Sequence, residues 1–122
     1  MKLLLIEDDD DIRRVARLSL GRLGGMDVIE AGGGAEGLRR AAEHQPDAIL
    51  LDALMPAMDG PATLAALRAD PRTAAIPVVF LTGKTQPGDL SRLRGLGAAG
   101  VLTKPFDPVA LPIQVRAALG RA

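Results

Sequence analysis

The chain contains no cysteine. Disulfides, zinc–thiolate sites and thiol nucleophiles are therefore excluded. Its one histidine, His44, cannot build a histidine-based metal site. Tryptophan is also absent, which removes the usual intrinsic fluorescence signal. Neither sign of charge is in excess. Fifteen basic residues offset fifteen acidic ones, which argues against general binding to nucleic acid or a membrane surface. No apolar run is long enough to span a bilayer. The opening run Met1–Ile6 meets Glu7-Asp8 too early for a secretory signal, so a cytoplasmic protein with no membrane partner is expected. No linker, repeat or low-complexity stretch interrupts the sequence, and residues 1–122 are read as one domain.

What is present is a chain with 48% hydrophobic residues, enough for a real core. It is organised around Ile49–Gly60, where an apolar run ends in one carboxylate, Asp52, followed by a turn and Asp59-Gly60. Such a run reads as a strand buried on both faces of a parallel sheet. Four similar short runs accompany it: Leu3–Ile6, Val28-Ile29, Val78–Leu81 and Val101-Leu102. Helical patterns separate them. The first carries Ile12, Val15, Ala16, Ser19 and Leu23 inward, with Arg13, Arg14, Arg17 and Arg22 pointing away, and ends at Gly24-Gly25. Further helices are predicted over 35–43, 61–69 and 87–96, the last weakened by Gly88 and Gly95. A final helix is expected to be capped by Asp107, with Pro108 at its first position, and to run to Leu119. Pro112 would distort its first turns. Alternation of five strands with five helices means an open α/β parallel sheet covered on both faces.

Carboxyl ends of the strands are where such folds keep their sites. Glu7 and Asp8 follow the first strand, Asp52 ends the third, Thr82 the fourth, and Lys104 follows the fifth. Carboxylates this close repel unless a cation neutralises them. All are hard oxygen donors, which suit Mg²⁺. Adding a hydroxyl and a mobile ammonium gives the groups needed for an aspartate to accept a phosphoryl group. Asp9, Asp10 and Asp11 are read as helix-capping and surface charge, and His44 as an exposed helix-end residue.

These residues give the chain its resemblance. Glu7-Asp8, Asp52–Gly60 as Asp-x-x-Met-Pro-x-Met-Asp-Gly, Thr82-Gly83 and Lys104-Pro105-Phe106 together resemble the response-regulator receiver domain of the single-domain chemotaxis type. The resemblance implies a flavodoxin-like strand order 2-1-3-4-5 and Asp52 as the phospho-acceptor. It also implies Mg²⁺ held by Glu7, Asp8, Asp52 and the Leu54 backbone carbonyl, Thr82 and Lys104 on the phosphoryl group, and a cis Lys104-Pro105 bond. Implied partners are a histidine kinase or histidine phosphotransfer protein, and a downstream protein on the face of the fourth helix, fifth strand and fifth helix. The chain would be a monomer or a weak phosphorylation-dependent homodimer, with autophosphatase activity but no conventional enzymatic turnover. Two positions depart from the family pattern. Val101 stands where an aromatic or histidine is common, and Gly83 where alanine is.

Two rivals compete with this reading. One is an interaction module on the same fold that ignores phosphorylation. The other is a dinucleotide-binding domain, because Gly32-x-Gly34-x-x-Gly37 follows a strand, opens a helix and precedes an acid about 20 residues on.

Overall fold

A computed structural model describes residues 1–120. Five parallel strands are present: β1 (Lys2–Ile6), β2 (Asp27–Ala31), β3 (Ala48–Asp52), β4 (Val78–Thr82) and β5 (Gly100–Thr103). They lie in the order β2-β1-β3-β4-β5, so the expected flavodoxin-like sheet is the observed one. The helices are α1 (Asp10–Leu18), α2 (Gly34–His44), α3 (Gly60–Ala69), α4 (Pro87–Arg94) and α5 (Leu111–Ala118). β3 and β4 are buried at every position, as strands covered on both faces must be. Their alternate residues feed two cores. Ile49, Leu51, Val78 and Phe80 join Leu64 and Leu67 of α3 on one face; Leu50, Val79 and Leu81 join Leu20, Leu111 and Val115 on the other.

Two helix boundaries differ from the expectation. Asp107 accepts the Val109 N–H at 2.9 Å, but it caps only a turn over 108–110, and α5 begins at Leu111. Pro112 is the cause. It has no N–H to give the Pro108 carbonyl four residues earlier, and that carbonyl accepts the Ser19 hydroxyl instead. Proline thus falls in the first turn of α5, where it is tolerated. The first helix, in turn, does not end regularly but passes into a π-helical turn over Ser19–Leu23. Ser19 and Leu20 face inward, three and four residues after the buried Ala16, whereas Val15 before the turn and Leu23 within it are exposed, although both were expected to face the core.

The glycines after β2 are explained by packing. A Cβ on Gly37 would overlap the Ile6 side chain, and one on Gly34 would meet Thr63 Oγ1 and Met58 Sδ. The N–H of Gly32 donates to Glu36 at 3.2 Å. The anion at this helix start is therefore the chain's own carboxylate, and the backbone approach serves packing between helix and sheet.

Candidate functional site

Register brings the strand ends together. Ile6 pairs with Leu51, so the residue after each, Glu7 and Asp52, are neighbours at the sheet's carboxyl rim. Thr82 pairs with Thr103, which sets Lys104 beside it, and the Lys104 N–H donates to the Thr82 carbonyl at 2.7 Å. The Lys104-Pro105 bond is cis, as the resemblance implied.

Glu7 and Asp52 are almost fully enclosed, at 1% and 4% exposure, whereas Asp8 is open to solvent. One oxygen from each of Glu7, Asp8 and Asp52 lies within 4.8 Å of the others. Lys104 Nζ donates to Glu7 Oε1 at 2.7 Å and stands 3.3 Å from Asp52 Oδ1. The lysine expected to be mobile is thus fixed between two buried carboxylates. Burial and the neighbouring Asp52 push the Glu7 carboxyl up to about 8, against the opposing pull of Lys104. Desolvation draws the Lys104 ammonium down, but its bonds to Glu7 and Asp52 outweigh this and hold it above its ordinary value.

The flanking backbone completes the rim. Asp52 Oδ1 accepts the Leu54 N–H at 3.2 Å, so Leu54 sits beside the carboxylate. Thr82 is buried, and its hydroxyl accepts the Lys84 N–H at 3.0 Å, turned toward its own loop. A cleft of about 70 Å³ separates that loop from the β3–α3 loop and is lined by Leu54, Thr82, Lys84 and Leu93 among others. Asp9 caps α1 by accepting the Asp11 and Ile12 N–H groups, and Asp59 caps α3 through Ala62. Both fit their structural reading.

One contributor was missed. Arg13, expected to point away, reaches back so that Nη1 donates to the Glu7 carbonyl at 2.8 Å. Helical side chains lean toward their helix N-terminus. An arginine in the second turn can therefore reach the strand end that precedes it, although helical spacing alone does not show how far back it reaches. His44 is half-buried rather than exposed, and its carbonyl accepts Lys2 Nζ at 2.9 Å.

Val101 is half-buried against the cluster that holds Leu93. A Cβ at Gly83 would touch nothing within 4 Å. On α5, Leu111 and Val115 are enclosed, while Val109 before it and Ile113 are each 69% exposed. Among the described residues no helix is long and apolar enough to cross a membrane.

The chain is 40% identical over 120 residues to the DNA-binding dual master transcriptional regulator RpaA of Synechocystis, covering 98% of this chain and 49% of the relative. It is 42% identical over 123 residues to the transcriptional regulatory protein PrrA of Mycobacterium tuberculosis, covering 98% and 50%. The chain therefore spans about half the length of the curated relatives it matches. Among solved structures, chemotaxis protein CheY4 of Vibrio cholerae superposes with a TM-score of 0.87 at 31% identity, covering 96% of this chain and 97% of that one. A putative response regulator from Chloroflexus aurantiacus gives 0.88 at 32%, covering 98% of each. The profile of the response regulator receiver domain matches residues 3–116, and the chain belongs to that family of two-component signalling domains.

Proposed function

We propose that Asp52 accepts a phosphoryl group from a phosphohistidine on a histidine kinase or histidine phosphotransfer protein, with Mg²⁺ required. The observation that carries this reading is the convergence of Glu7, Asp8 and Lys104 on one buried aspartate. Asp8 and Asp52 against one ammonium leave an excess of negative charge, and Glu7 adds to it once its raised carboxyl ionises. The donors are hard oxygens, so the residues fit the ion. Glu7, Asp8, Asp52 and the Leu54 carbonyl would hold it. The chemistry it supplies when bound is neutralisation of the charge shared by acceptor and phosphoryl oxygens.

The chain's own groups do the rest. Asp52 attacks phosphorus, a P–O bond forms, the P–N bond breaks, and the donor imidazole leaves. Lys104 transfers its ammonium from Glu7 to a phosphoryl oxygen. Thr82 turns its hydroxyl from Lys84 toward the same group and so releases the start of the following loop. Little covalent chemistry is asked of the protein beyond positioning and charge. Hydrolysis of the acyl phosphate resets the site, an autophosphatase activity rather than conventional turnover. The altered loop changes contacts with a downstream protein on the α4–β5–α5 face; Leu96 just after α4, Val109 just before α5 and Ile113 within α5 are exposed.

A second reading keeps the fold and drops the switch, because Val101 has no ring to flip and Gly83 constrains nothing. Intact mass after incubation with a small acyl-phosphate donor separates the two. A gain of one phosphoryl group that needs both Mg²⁺ and Asp52, and is lost in Asp52→Asn, supports the acceptor. No gain, together with no binding of beryllofluoride, overturns it in favour of the phosphorylation-independent module.

A further inference from the structure

We propose that Arg13 is a positioning residue for the carboxylate cluster: its grip on the Glu7 carbonyl fixes the peptide that aims Asp8, and thereby sets affinity for a divalent cation. This rests on the reading above, that Glu7, Asp8 and Asp52 hold Mg²⁺.

Glu7 lies one residue beyond the β1 ladder. Its N–H still reaches the Ala31 carbonyl, at 3.1 Å. Its carbonyl takes Arg13 Nη1 at 2.8 Å. The same guanidinium donates through Nη2 to Asp10 at 2.6 Å and approaches Glu30 through Nε at 3.4 Å. The other Glu30 oxygen takes Arg17 at 3.3 Å. Three acceptors from three places, the end of β1, the first turn of α1 and β2, thus hold one planar fork. A lysine, with one compact head group, cannot span them. The Glu7–Asp8 peptide is planar, so the direction of the Glu7 carbonyl dictates the start of Asp8. On the far side Asp9 is fixed as the α1 cap and by its N–H to Glu7 Oε2 at 3.3 Å. Asp8, the most open of the three carboxylates, is therefore aimed from both ends by neighbours that are tied down.

The proposal has a sign that charge alone reverses. Arg13 is a cation beside an anionic site, so Coulomb's law predicts tighter Mg²⁺ binding when it is neutralised. Positioning predicts weaker binding. The experiment is Mg²⁺ titration calorimetry at fixed ionic strength on wild type, Arg13→Met, Arg13→Lys and Glu30→Gln, with thermal unfolding run in parallel. Arg13→Met is expected to bind about tenfold more weakly, in the range seen when outer partners of metal ligands are removed. Arg13→Lys should recover only part of the loss, and Glu30→Gln should show a smaller loss in the same direction. Equal or tighter binding by Arg13→Met overturns the proposal, even if its melting temperature falls. Should that variant not fold, wild-type affinity in both Arg13→Lys and Glu30→Gln overturns it equally. A wild type that binds no Mg²⁺ overturns the metal reading itself, and the inference with it.

Discussion

The two sides of the carboxyl rim are built differently. On the β1–β3 side the polar groups are held from behind. Glu7 is gripped at both its carbonyl and its carboxylate, Asp9 and Asp59 cap the adjoining helices, and Arg13 ties α1 to β2. The β4–β5 side has far less support. Residues 83–88 are all exposed, α4 has no side-chain cap at Gln86, and Leu93 is the one fully enclosed residue of that helix. An eight-residue helix is marginal by itself, so α4 depends on that single anchor and on Leu90 and Asp89, which are partly covered. Chemistry that works by positioning needs the first kind of construction. A readout by change of conformation draws on the second.

The sharpest way to break this contrast is to add one methyl group on each side. On Gly60 a Cβ would lie 2.7 Å from both the Asp52 carbonyl oxygen and the Ala53 Cα. These are backbone atoms and cannot rotate away. Gly60→Ala should lose about 3 kcal/mol of unfolding free energy, the upper part of the range for overpacking, and displace Asp52. Gly83→Ala has open space and should stay within about 0.5 kcal/mol of wild type. Denaturant melts of the two variants measure the difference, and equal losses would end the comparison.

Leu93→Ala tests the support of α4. Removing a buried leucine costs about 2 kcal/mol at the low end of the usual range, and the low end applies because α4 can detach without opening the sheet. Hydrogen exchange should show the 87–94 amides losing protection while those of β1 and β3 keep theirs. Loss of protection in β1 and β3 as well would mean that α4 is integral to the core.

How far the sequence carried the reading differs between these sides for a physical reason. Asp52, Thr82 and Lys104 were legible because each stands where an apolar strand stops, and that boundary is local in sequence. The strand order came from resemblance and not from spacing. The role of Arg13 was hidden because helical periodicity tells which face a side chain leaves from, not how far a long one reaches back. Leu23 was misread because it lies in a π-helical turn, which inserts a residue that no 3.6-residue pattern anticipates; Val15 lies before that turn, next to the buried Ala16. The start of α5 was misplaced because two prolines, Pro108 and Pro112, offered rival first turns. The partner that decided between them, the Ser19 hydroxyl, is 89 residues away in the chain.

Titration sharpens the comparison further, since the rigid side encloses a carboxyl at a cost. Glu7 is raised from about 4.5 in the unfolded chain to about 8 when folded. The folded state therefore binds the proton more tightly. Its contribution to stability is fully present below the unfolded value and is lost as pH rises through the folded one. Metal-free protein should lose stability between pH 5 and pH 8 by on the order of 1 kcal/mol per unit. Glu7→Gln should remove that slope, and saturating Mg²⁺ should flatten it by favouring the ionised carboxylate. A melting temperature independent of pH in the metal-free wild type would contradict the assignment.

The smallest effect expected lies in the β3–α3 loop, between the two sides. Ala57 has a φ of 66°, one of two non-glycine residues with positive φ among those described, and its side chain is exposed. Left-handed backbone costs an alanine roughly 1–2 kcal/mol. Glycine adopts it freely but brings about 0.5–1 kcal/mol of extra chain entropy to the unfolded state. The two terms oppose, and the strain is the larger. No packing is lost with an exposed methyl, so Ala57→Gly should stabilise the fold by about 0.5 kcal/mol. Paired denaturant melts resolve a gain of that size when the slopes agree. A loss instead would mean that the alanine contributes more as a stiffener of the unfolded loop than it costs in strain. The loop between Asp52 and α3 would then belong with the rigid side of the rim.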